Sequence, residues 1–218
     1  MGADYLHQVP HIQAGLKTIL GADKIFSRHP INLDDFNWAY IGPDFPGLVR
    51  IVVGQQVSTA AAQSIWMKVQ GGVDVTPRGI VRASAEDLRA LGLSGAKVST
   101  IKGLAEAITK KKFDPEAMEN LDDDAVLAAI TALKGFGPWS AQMYLMFGLA
   151  RPDIWAPADL GIQVGLQYYL NVKDRPDADK TLRAGKRFAP HRTAASLLLW
   201  HLKSVTEKAR KEDKKAKP

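Results

Sequence analysis

The chain has 218 residues and no cysteine, which excludes disulfides, iron–sulfur clusters and thiolate zinc sites. Lysine and arginine outnumber aspartate and glutamate by 29 to 23, giving a formal charge of +6 and a pI near 9.4, a balance that suits a polyanionic partner. Part of that excess sits in the run from Lys208 to Lys217, which reads as a solvated, frayed tail, so charge alone does not show DNA binding. No apolar run is long enough to span a bilayer and no charged leader precedes an apolar stretch. A location in the cytoplasm or nucleoid (the nucleus in a eukaryote), without membrane attachment, is the expectation. The five histidines show no helical metal-ligand spacing, so no metal held by side chains and no required cofactor is expected.

Helical periodicity dominates. Leu48 to Val53 reads as a helix weakened at Gly54, and Ser58 caps an Ala-rich second helix, which leaves Gln55 and Gln56 at the bend. A short extended piece fits Val73 to Val75. Ser84-Ala-Glu-Asp opens a short helix ending near Gly92, and a longer one runs from Ala96 to Lys110 with Val98, Ile101, Leu104, Ala105 and Ile108 as its apolar stripe. Asp122, Asp123 and Asp124 supply caps for a helix from Asp124 to Leu133, with Val126, Leu127, Ile130 and Leu133 on one face. A last helix covers Arg192 to Lys208, with Leu197, Trp200, Ser204 and Val205 towards one side. The fold class is all-α. There is no dinucleotide fingerprint, P-loop or tandem repeat, and no heptad seam, so a monomer is expected.

Leu133-Lys-Gly-Phe-Gly-Pro-Trp-Ser-Ala141 is the most informative stretch. Gly135 can close the preceding helix in the left-handed conformation, and Pro138 suits the first position of the next. The backbone N–H groups of Gly135, Phe136 and Gly137 then lie beside a helix N-terminus, where they can hold one DNA phosphate without reading sequence. The same glycines also serve an ordinary αα-corner. Further on, Asp159 follows a Pro-containing loop and precedes Leu160-Gly-Ile-Gln-Val, the position of a helix cap.

Taken in order, the hairpin, Ala156-Pro-Ala-Asp-Leu-Gly-Ile162, the Gly54-Gln-Gln-Val-Ser58 bend and Leu91-Gly-Leu-Ser-Gly-Ala-Lys97 resemble the helix-hairpin-helix (HhH-GPD) DNA glycosylases. Within that superfamily they are most similar to the alkylation-repair branch, 3-methyladenine DNA glycosylase II, and the similarity runs from about Leu48 to Trp200. The resemblance implies two helical subdomains flanking a cleft, residues 1–47 with 157–218 and residues 48–156, in a compact form without the branch's N-terminal β-containing domain. It implies release of alkylated purines of the 3-methyladenine and 7-methylguanine type from double-stranded DNA.

The same resemblance places Asp159 as the catalytic carboxylate. It would stabilise positive charge on the deoxyribose and orient or deprotonate water. Trp139, Trp200 and Met143 fall at base-pocket positions, where indole faces attract a cationic base. Gln56 falls at the position of the wedge that fills the gap left by a flipped base. Backbone carbonyls of the hairpin would hold a monovalent cation. On the residues alone, both glutamines also read as backbone bridges and Trp200 as core. Tyr144, Phe147 and Trp155 read as packing residues.

Two departures bear on the lesion range. Met143 stands where a tyrosine is usual, and Leu160 replaces an aromatic. The lysine of bifunctional relatives is replaced by Trp139, and no lysine lies between Pro138 and Leu149, so hydrolysis without strand cleavage is expected. The alternatives are a glycosylase for other damaged bases and a helix-hairpin-helix module that only binds DNA.

Overall fold

The structure, a computed structural model, describes residues 4–29 and 31–216, the side chains of 214–216 excepted. The described residues form eleven α-helices: α1 (Pro10–Ala22), α2 (Phe45–Gly54), α3 (Thr59–Gly72), α4 (Pro77–Arg82), α5 (Ala85–Ala90), α6 (Gly95–Thr109), α7 (Asp123–Thr131), α8 (Pro138–Met143), α9 (Leu160–Leu170), α10 (Ala178–Gly185) and α11 (Arg192–Ala216). A π-helical turn, Tyr144–Gly148, continues α8. Among the described residues the sole β feature is an isolated antiparallel bridge between Tyr5 and Ala39. Val73 to Val75 is not a strand: Val73 ends α3 with its N–H still on the Val69 carbonyl, and Thr76 already caps α4.

The helix starts follow from local chemistry. Asp44, Ser58, Thr76, Ser84, Ser94, Asp122, Asp159 and Asp177 each accept the backbone N–H three residues on, at 2.7–3.4 Å. Each such cap is worth about 1 kcal/mol against alanine.

Two compact units result. One is Ile41–Leu149, and the other joins the described residues up to Tyr40 with those from Ala150 onward. The division falls at 40/41 and 149/150, not at 47/48 and 156/157, for identifiable reasons. The Ile41 N–H donates to the Phe147 carbonyl at 3.0 Å and Asp44 caps α2, which holds residues 41–47 in the middle unit. Thr193 donates to the Arg151 carbonyl at 2.6 Å and accepts the Ile154 N–H at 3.1 Å, which holds the following loop in the other.

In the middle unit, α2 is the central helix, burying Phe45, Leu48, Val49, Ile51, Val52 and Val53 against α3, α6, α8 and the π turn. In the other, α11 packs on α9 and α1 through Ala194, Ala195, Leu197, Leu198, Leu199 and Leu202. Ser204 and Val205 are exposed, so the buried face of α11 ends at Leu202.

The basic run is no frayed tail in its backbone. Helix α11 continues to Ala216, steadied by Lys203–Glu207 at 2.9 Å and by the Arg210 guanidinium lying 4.7 Å over the Tyr168 ring. Lys217 lies outside the described residues.

Candidate active site

Asp159 begins α9 with both its main chain and its side chain. Its carbonyl accepts the Gln163 N–H at 3.0 Å, and its Oδ1 accepts the Ile162 N–H at 2.8 Å. The same Oδ1 accepts the indole N–H of Trp200, on α11, at 2.9 Å. Cap and indole thus converge on one oxygen of a half-buried carboxylate. Gly161 makes this approach possible, because a Cβ there would stand 2.6 Å from the Trp200 Cδ1 and Nε1.

The loop that delivers Asp159 is tied down on both sides. Gln163 Nε2 donates to the Pro157 carbonyl at 2.9 Å. Upstream, the Arg192 guanidinium makes a bidentate pair with Asp153 at 2.7 and 2.8 Å, at the start of α11. Burial pushes the Asp153 carboxyl up, but the bonds from Arg192 outweigh it and hold it below its ordinary range.

Trp200 has an aromatic neighbour that the sequence did not single out. The Trp38 ring lies 5.5 Å from it at 47°, and both rings are half-buried. Trp38 is held by backbone pairing: its carbonyl accepts the Leu6 N–H at 2.8 Å, and two residues on, Tyr40 donates to the Asp4 carbonyl at 3.1 Å. The signal for it, a tryptophan in Phe36-Asn-Trp-Ala-Tyr40, lies in an irregular stretch without helical period.

In the middle unit the hairpin is built as the sequence predicts. Helix α7 ends near Ala132, Gly135 takes φ +87°, and Pro138 opens α8. A side chain at Gly135 would be both strained and in collision with the Thr100 hydroxyl. Phe136 is buried and anchors the turn, and its N–H donates to the Leu133 carbonyl at 3.1 Å. Gly135 is exposed and Gly137 half-exposed. Trp139 is half-buried on α8 and Met143 is buried at 6% exposure. Tyr144 is fully buried, its hydroxyl donating to the Pro43 carbonyl at 2.8 Å, and Trp155 donates to the Thr181 carbonyl at 2.9 Å, so both pack as expected.

The two glutamines divide. Gln55 caps α2 and turns its side chain to the hairpin, where Nε2 donates to the Gly135 carbonyl at 3.1 Å and the Ser140 hydroxyl at 3.0 Å. Gln56 takes φ +55° and is exposed. A left-handed conformation at a non-glycine residue costs about 1 kcal/mol, so the loop holds this tip against a local preference.

Among the described residues no cluster of histidine, cysteine, aspartate and glutamate could hold a metal ion. The Leu133 carbonyl accepts the Phe136 N–H and the Gly135 carbonyl accepts from Gln55 Nε2. No helix among the described residues is long and apolar enough to cross a membrane.

A capped carboxylate on a helix N-terminus, a glycine-turned hairpin and an all-helical frame define a class: the chain belongs to the HhH-GPD superfamily of base excision DNA repair proteins, whose family model it matches over residues 49–191. Among its relatives, DNA-3-methyladenine glycosylase 1 of Schizosaccharomyces pombe is 31% identical over 165 residues, covering 73% of this chain and 72% of the relative. The solved S. pombe 3-methyladenine DNA glycosylase in complex with abasic DNA superposes with a TM-score of 0.76 at 28% identity, covering 86% of this chain and 95% of that one. A DNA-3-methyladenine glycosidase from Bacillus halodurans gives 0.66 at 30% identity, covering 93% of each chain.

Proposed function

We propose that this chain is a monofunctional DNA glycosylase of base excision repair that hydrolyses the N-glycosidic bond of alkylated purines of the 3-methyladenine and 7-methylguanine type. The names of its relatives, the likeness over 86% of this chain to one of them on abasic DNA, and the hairpin support that reading. The single observation that carries the chemistry is the Asp159 carboxylate, oriented by the Ile162 N–H and the Trp200 indole.

Breaking the glycosidic bond leaves positive charge on the deoxyribose. A carboxylate about 4 Å from that charge, in surroundings of intermediate polarity, stabilises it by about 4 kcal/mol, which corresponds to about three orders of magnitude in rate. Two donors on Oδ1 fix the direction in which the carboxylate presents itself, so that little reorientation is needed when charge develops. Water completes the substitution at the sugar, with Asp159 accepting or orienting its proton. Alkylation at a purine ring nitrogen already makes the base a cationic leaving group, which reduces the demand for a general acid.

The remaining assignments follow on the same footing. The N–H groups of Gly135 and Gly137 take a DNA phosphate, the Phe136 N–H being engaged within the turn. Gln56 fills the gap left by the flipped base. Trp139, Trp200 and Met143 contact the base, and Trp38 enlarges the aromatic surface at Trp200. Trp139 in place of a Schiff-base lysine makes the reaction hydrolytic. A monovalent cation on the hairpin carbonyls would add positive charge beside the phosphate, and the protein acts as a monomer.

The experiment is incubation with methylated duplex DNA, followed by separation of free bases and by a denaturing gel. Release of 3-methyladenine and 7-methylguanine with intact, alkali-labile strands is expected. Release of other lesions only would overturn the substrate class.

A further inference from the structure

We propose that Gln55 is a positioning residue that locks the phosphate-binding hairpin and the Gln56 tip into one mechanical element, so that hairpin engagement and wedge insertion are energetically coupled. This rests on the reading of Gln56 as the wedge.

The two features lie 80 residues apart in the chain but are joined through one side-chain amide. Gln55 Nε2 has two N–H donors, and both are used on the hairpin. One goes to the Gly135 carbonyl in the turn and the other to the Ser140 hydroxyl in the first part of α8. Ser140 is buried at 2% exposure, so its hydroxyl is a fixed anchor point. The Gln55 main chain is fixed as well, its N–H donating to the Val52 carbonyl at 3.2 Å.

A second brace acts two residues earlier. Lys97 Nζ donates to the Val53 carbonyl at 2.8 Å, at the C-terminal end of α2, where a cation is favoured by the helix dipole. Burial pushes the Lys97 ammonium down from its usual value, consistent with a group withdrawn from solvent to serve this carbonyl. On the far side Ser58 caps α3 through the Ala61 N–H at 3.2 Å. Between these fixed points stand only Gln56 and Val57, both exposed, with Gln56 in its left-handed conformation.

On its N-terminal side the tip is therefore held by the side chains of Gln55 and Lys97, and of these Gln55 alone reaches the hairpin turn. Without that bond the strained Gln56 conformation would compete with ordinary extended ones, and each insertion would have to order the loop again. Ordering one or two residues corresponds to about tenfold or more in the population of the competent state. Because Nε2 rests on the hairpin itself, any shift of the Gly135 carbonyl as a phosphate docks is passed directly to the residue preceding the wedge.

The test is a double-mutant cycle on the full chain with Q55M, Q56A and Q55M/Q56A. The substrate is a duplex carrying 2-aminopurine beside a tetrahydrofuran abasic analogue, read by fluorescence for the unstacking that insertion causes. Affinity for undamaged duplex and thermal midpoint are measured for each protein. Methionine keeps the length of Gln55 and removes both bonds. Q55M is expected to lower the insertion signal about tenfold while changing undamaged-duplex Kd by less than about twofold, and Q55M/Q56A to be no worse than Q56A alone. Should Q55M fail to fold, S140A, which removes one of the two bonds, takes its place in the cycle and should show a smaller, equally non-additive loss. Defects of Q55M and Q56A that multiply would overturn the coupling while leaving the wedge intact. A normal insertion signal in Q56A would overturn the wedge reading, and the coupling with it.

Discussion

The Trp200 indole N–H donates to Asp159 Oδ1 at 2.9 Å, on the same oxygen that caps α9. A ring expected as a wall for the base is thereby also a hydrogen-bond donor to the carboxylate. The two roles make different demands on the side chain: the first needs an aromatic face, the second an N–H.

Trp200→Phe separates them. It keeps an aromatic surface beside Trp38 and removes the donor. Single-turnover base release should fall about tenfold, the lower part of the range for a hydrogen bond to a charged group, since Asp159 is only half-buried. Unchanged release would limit Trp200 to packing.

Gly135→Ala should destabilise the chain by about 3 kcal/mol. The φ of +87° is unfavourable for alanine, and the added methyl meets Thr100. Urea unfolding measures the loss, and G135A/T100A, which removes the Thr100 hydroxyl that the added methyl would meet, should recover part of it.

If, as the resemblance implies, Trp139 replaces the lysine that forms the covalent adduct in bifunctional relatives, borohydride should trap no protein–DNA adduct in the wild type. A trapped adduct mapping to α8 or the π turn would contradict hydrolysis by water.

Stability should decline gently as the pH falls from 7 to 5. His7 and His201 flank Phe36, His201 stacking on it at 4.8 Å and His7 meeting it edge-on at 5.9 Å. Burial holds both imidazoles below their ordinary value near 6.5, with Asp34 and Asp35 opposing. A depressed folded-state value means the stabilisation is present above the unfolded pKa and is lost as pH drops through the folded one. His201→Phe should flatten this limb in urea titrations at pH 7 and pH 5, and an unaltered slope would assign it to other groups.

Much of the site was legible because it is written in local chemistry. Asp159 as a cap, the Gly135 turn and Pro138 at a helix start each follow from a few consecutive residues, and the resemblance ordered them into one family pattern. The indole bond to Asp159 joins residues 41 apart and depends on the missing side chain of Gly161, which no periodicity encodes. Trp38 is set by pairing with residues near the N-terminus. Gln55 and Gln56 are chemically identical, and only the reversal of backbone direction between them sends one to the hairpin and leaves the other at the surface. The contact of Arg210, in the basic run, with Tyr168 joins two helices 42 residues apart.

The central claim is that Asp159 performs the chemistry rather than merely starting a helix. Asparagine caps as well as aspartate, so Asp159→Asn should keep the Ile162 bond and the fold while losing the negative charge. Release of 3-methyladenine and 7-methylguanine from methylated duplex DNA is predicted to fall by about three orders of magnitude in D159N, with the thermal midpoint and duplex binding retained. Turnover close to that of the wild type by a folded D159N protein would contradict the account.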